Sequence, residues 1–183
     1  MHRTRMMRRS NLRERYSKSK ETIAIPLATR MKSGFSAGLI GALAMDDYNR
    51  LKIAITRLSV SPLPYGAQEW AATSGIVNSA AARIGWKLSP RQTKHGAAIV
   101  HYTTAAAAGV VYGILRRRRK KASPWVGACF GTAIWLLGNE LLLPAAGILE
   151  RADFTLATRA DALAEHVIFG VSVDKAYRKM TSA

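Results

Sequence analysis

The chain reads as an all-α integral membrane bundle of about four transmembrane helices with both termini on the cytoplasmic side. Three observations carry that reading. Residues 95–115, HGAAIVHYTTAAAAGVVYGIL, run twenty-one positions without Asp, Glu, Lys or Arg. At about 1.5 Å per residue such a helix crosses a hydrocarbon layer of about 30 Å. Six consecutive basic residues, Arg116 to Lys121, then close the run, and a basic block beside a span stays on the cytoplasmic side. Finally, 49% of the residues are hydrophobic but only 8% are aromatic, and Ala, Gly, Leu, Ile and Val dominate. Small residues of this kind suit close-packed helices in lipid better than a soluble core built around large side chains.

The net charge of +17 is placed at the ends of candidate spans. Residues 1–32 hold ten Lys or Arg against Glu14 and Glu21, residues 116–121 add six, and Lys175, Arg178 and Lys179 finish the chain. That placement matches the positive-inside rule and attraction to anionic lipid head groups, so the bilayer rather than nucleic acid is the expected partner. The chain divides into a basic cytoplasmic arm (1–32), disordered or helical at the membrane surface, a four-helix membrane domain (33–178) and a short tail (179–183). No apolar run follows the basic start closely enough for a cleaved signal peptide. Cys129, the only cysteine, reads as an inert small residue.

The first span, from 33 to 45 (SGFSAGLIGALAM), is short. Asp46, Asp47, Arg50 and Lys52 follow it, and its helix can continue through LKIAI until Pro62 and Pro64 stop it. The connection from about 57 to 94 is moderately basic, a mild exception to the charge rule, and its Trp70 and Trp86 suit a short interfacial helix. The second span is the 95–115 run. The third, 124–149, opens with Pro124 as a first-turn residue and has Glu140 as its sole charge; Pro144 is expected to end it. The fourth, 160–174, is amphipathic and inserts if neighbours cover Glu165 and His166. The connection after the second span is strongly basic and that after the third is net acidic, which places them inside and outside respectively.

Three spans carry GxxxG: Gly34 with Gly38, Gly109 with Gly113, and Gly127 with Gly131. Each removes Cβ atoms from one helix face so that another backbone can approach, first within the chain and alternatively in a homo-oligomer. The ionisable residues share a depth. Asp46, His101 and Glu140 lie about 20–22 Å along their spans from the cytoplasmic side, and Glu165 and His166 fall near the same level. Ionisable groups in a bilayer cost at least about 2.5 kcal/mol each unless paired or hydrated. Asp46, His101, Tyr102, Asn139, Glu140, Glu165 and His166 are therefore expected to form one intramembrane polar cluster. Three uses stand open: a hydrogen-bonded knot that sets helix register, a proton or ion path, and a metal site on His101, Glu140, Glu165 and His166. The last lacks any compact ligand spacing such as HExxH.

No GxSxG elbow, P-loop, dinucleotide fingerprint or CxxC occurs, so neither an enzyme nor a cofactor is expected. GLIGALAMD (38–46), VHY (100–102) with GVVYG (109–113), GTAIWLLGNELLLPAAGI (131–148) and AEHVIFG (164–170), in that order, resemble the YagU-like family of uncharacterised bacterial inner-membrane proteins. The resemblance implies a multi-pass protein of the bacterial inner membrane and assigns no activity. Asn139 stands where similar proteins place a small or acidic residue, which speaks against a two-carboxylate mechanism there. The functional expectation is a structural or scaffolding envelope protein with an intramembrane polar cluster; the alternative is permeation of a proton, ion or small solute through that cluster.

Overall fold

A computed structural model describes residues 25–57, 67–116, 124–150 and 153–182. Among the described residues the fold is all-helical, with five principal helices: α1 (Leu27–Arg57), α2 (Ala67–Arg83), α3 (Pro90–Leu115), α4 (Pro124–Trp135) and α5 (Leu156–Thr181). Most of the basic arm, the 117–121 block and the prolines at 62 and 64 lie outside the described residues.

Local chemistry sets the helix ends. α1 starts directly after Pro26, whose carbonyl accepts from Arg30 N at 3.0 Å, and it continues through LKIAI to Arg57. It thus takes in residues 27–32, which sequence assigned to the arm. α2 ends in a Schellman turn: Gly85 takes a φ of +71°, Gly85 N donates to Ala82 O at 3.0 Å, and Trp86 N donates to Ala81 O at 2.9 Å. Four residues later Ser89 and Gln92 form a reciprocal capping box, with Pro90 opening α3. Pro144 has no N–H to offer the carbonyl of Glu140. The helix that α4 begins widens into a π-helical stretch over Leu136–Leu142, takes one last α turn at Leu143–Ala145, and leaves through Gly147 at φ +66°. Thr155 caps α5, accepting from Thr158 N at 3.2 Å.

Packing follows the glycines. α1 lies at the centre, antiparallel to α3 and to α5, and α4 runs antiparallel to α5. A Cβ on Gly34 would overlap the carbonyl of Gly109, one on Gly38 that of Ala105, and one on Gly113 that of Arg30. These pairs step four residues at a time along both helices, so the α1–α3 backbones touch along one continuous seam. Gly127 and Gly131 face Gly170 and His166 of α5 in the same way. All three GxxxG pairs are therefore occupied inside the chain.

Below the level of His101 the interior is filled by rings. Tyr112 stands edge-on to Phe130 at 4.9 Å and to Tyr177 at 5.5 Å, and Phe130 stacks on Phe169 at 6.4 Å. The outer surface is apolar as well: Phe35, Leu43, Ile53, Ile99, Leu115 and Leu142 are all exposed. Two segments, Pro90–Leu115 and Trp125–Ala145, are long and apolar enough to cross a membrane. Cys129 is exposed on the second of them, not enclosed.

Candidate functional site

The polar residues do not form one cluster. Their levels differ as well as their rotations: Lys52, which holds Glu165, lies past Asp46 on α1, and Arg159, which holds Glu140, lies about two turns before His166 on α5, so the structure resolves four groups.

The first group centres on His101. Its Nδ1 donates to Glu69 Oε1 at 3.0 Å, and its Nε2 lies 3.6 Å from Asp46 Oδ1. An ionised carboxylate can only accept, which assigns the Nδ1 proton to the histidine. Tyr102, the next residue on α3, donates its hydroxyl to Asp46 Oδ2 at 2.5 Å. Asp46 and Tyr102 thus meet His101 as expected. Glu69 was not among the candidates, because sequence placed it on a connecting helix at the interface. α2 in fact folds back along α3: Val77 lies against Gly96, and Thr93 donates to Asn78 at 3.1 Å. The hairpin carries Glu69 to the level of His101. Gln68 and Ala72, four apart on one face of α2, are buried beside Glu69.

Burial works to raise the Glu69 carboxyl, but the His101 hydrogen bond and the charges of His166 and His101 outweigh it and hold the group below its ordinary value. His166 shares with Glu69 and His101 the wall of a cavity of about 70 Å³, room for about two waters. Its own Nδ1 donates to Ala162 O at 2.8 Å. On the other side of His101 a cleft of about 250 Å³ opens between α1, α2 and α3. His101 and Glu69 line both the cavity and the cleft.

The second group lies one and a half turns farther along α1. Lys52 Nζ donates to Asp161 at 2.7 Å and to Glu165 Oε1 at 2.8 Å, and stands 4.4 Å from the centre of the Tyr48 ring. Glu165 is fully buried, so this pair rather than His166 accounts for its tolerance in the fold. Neighbouring positions on a helix point about 100° apart, which is why Glu165 and His166 serve different groups. In the third group Arg159 grips Glu140 with two donors, Nε at 3.1 Å and Nη2 at 2.5 Å, tying α5 to the π-helical stretch. Asn139 is buried beside Glu140, and its Nδ2 has no hydrogen-bond partner among the described residues.

The fourth group was not foreseen. Asp174, at the other end of α5, accepts from the Tyr112 hydroxyl and pairs with Arg178 at 2.9 Å and Arg116 at 3.5 Å. Arg30 Nη1 donates to Ile114 O at 3.1 Å, so the open carbonyls at the end of α3 meet cations. Among the described residues no three of His, Cys, Asp and Glu converge as metal ligands; His101, Glu140, Glu165 and His166 are dispersed over the first three groups. No family model, curated protein or solved structure matches this chain.

Proposed function

We propose that the chain is a four-crossing protein of the bacterial inner membrane, related to the YagU-like family, in which the His101 centre passes protons or a small solute. α1 and α5 complete the crossings begun by the two apolar segments. The antiparallel order brings the start of α1 and α4 and the end of α3 and α5 to one side. Arg30, Lys32, Arg116, Lys175, Arg178 and Lys179 collect there, which supports a cytoplasmic orientation for that side and contact with anionic head groups.

One observation carries the functional reading: His101 is hydrogen-bonded to Glu69, stands 3.6 Å from Asp46, and lines both the small cavity and the cleft. An imidazole so placed can accept a proton at one nitrogen and release one at the other, with Asp46 and Glu69 stabilising the charged form. Asp46 lies about 24 Å along α1 from Arg30, so the cleft faces away from the basic side. Toward that side the aromatic rings and the glycine seam close the path. On this reading the protein works as an outward-facing carrier rather than a continuous pore, and passage requires a second conformation.

A scaffolding role is the second reading, favoured by the cross-links at Lys52, Arg159 and Asp174, which serve helix register and need no flux. Reconstitution in liposomes under an imposed pH gradient separates the two. The carrier reading expects flux above empty liposomes, and at least a tenfold loss in a Glu69→Gln variant of unchanged helicity. If the wild-type protein conducts no more than empty liposomes, the carrier reading is wrong and scaffolding stands.

A further inference from the structure

The cleft beside His101 has a chemistry of its own. Asp46 and Glu69 supply carboxylates, Asn49 Oδ1 is buried without a hydrogen-bond partner among the described residues, and the half-exposed Trp70 offers an aromatic face. Against these acceptors stands one aliphatic cation, the exposed Lys94, about 10 Å nearer the start of α3 than His101. An acceptor-rich pocket with an aromatic wall selects a ligand that carries several N–H donors and positive charge. The volume of about 250 Å³ equals about eight waters, which limits the ligand to a small molecule. Among the described residues no three of His, Cys, Asp and Glu converge there as metal ligands, so the site suits an organic cation better than a metal ion.

The carboxylates that would receive this cation are the ones that flank His101. From α1 Asp46, from α2 Glu69 and from α5 His166 face the imidazole; α3 itself adds Tyr102 and Lys94, and α4 contributes the apolar Ile134. A proton on His101 and a cation in the cleft therefore draw on the same two negative charges. We propose that the cleft binds a small primary ammonium ion and that binding expels a proton from His101. One R–NH₃⁺ enters and one H⁺ leaves to water, so the charge of the site is conserved. This rests on the carrier reading for direction only; the binding step stands without flux.

The full chain in phosphatidylcholine nanodiscs, titrated with ethylammonium chloride, tests the proposal. The expected result is a saturable change in tryptophan fluorescence, absent in Trp70→Phe, with proton release to a weakly buffered indicator. Apparent affinity should fall as pH is lowered, and drop at least tenfold in Glu69→Gln. Nanodiscs containing phosphatidylethanolamine tell the source: a lost response to free ethylammonium assigns the occupant to the lipid head group, and an unchanged one to a soluble amine. Equal responses to acetamide or potassium chloride would overturn the ammonium assignment, as would no saturable response. Binding that ignores pH would overturn the exchange. Should Glu69→Gln lose helicity, the wild-type preference for ethylammonium over acetamide still decides. Binding without liposome flux would sink the carrier reading alone.

Discussion

Lys52→Met is the sharpest test of how the polar layer is held. The substitution keeps the unbranched stem to within one atom and removes its charge, leaving Glu165 and Asp161 without the ammonium that sits 2.8 Å and 2.7 Å from them. The two carboxylates are not equally affected. Asp161 keeps 18% of its side chain in contact with solvent, whereas Glu165 has none. The penalty therefore falls on Glu165, and breaking a buried pair on one side costs about 3–5 kcal/mol. Replacing both partners is a different perturbation: Lys52→Met with Glu165→Leu removes the uncompensated charge as well as the attraction, and ion pairs exchanged for apolar groups of similar volume are often neutral. Reversible unfolding in micelles, read by helicity, should show a loss of about 3–5 kcal/mol for the single variant and recovery of most of it in the double. A single-variant cost below about 1 kcal/mol would place Lys52 in the class of solvated pairs and refute the argument.

The glycine seams predict a contrast between Gly131 and Gly138. A Cβ at Gly131 runs into the His166 backbone carbonyl and should cost at least about 1–3 kcal/mol, while Gly138 faces open space and Gly138→Ala should stay within about 0.5 kcal/mol by the same unfolding measurement. Arg159→Ala should lower the melting temperature by stripping Glu140 of its fork, with Arg159→Lys intermediate because one ammonium cannot make two parallel hydrogen bonds; identical melting of all three proteins would count against the pairing. Folded Glu69 holds its proton more weakly than the unfolded side chain. Its stabilisation is therefore complete above the ordinary carboxylate range and is lost as pH falls through the lowered value. The stability gap between wild type and Glu69→Gln should shrink as pH falls below about pH 4.3, and a gap unchanged at lower pH would contradict the charge on Glu69.

What the sequence by itself determined is what local rules can reach. A charge-free run of twenty-one residues at 95–115 marks one crossing helix. Its helix begins earlier than that run, at Pro90 behind the Ser89 cap, which the structure rather than the charge-free stretch reveals. Glycines four apart mark the faces where backbones can touch, and rise per residue sets the depth of Asp46, His101 and Glu140 along their own helices. Only the tertiary structure decided which side chains meet. Glu69 and His101 are 32 positions apart and Lys52 and Glu165 are 113 apart. Such pairs form through the azimuth of each helix and through the return of α2 along α3. Half a turn about a helix axis changes a side chain's partner while leaving its depth and its sequence pattern the same, and close packing of whole helix faces, rather than any local preference, chooses the angle.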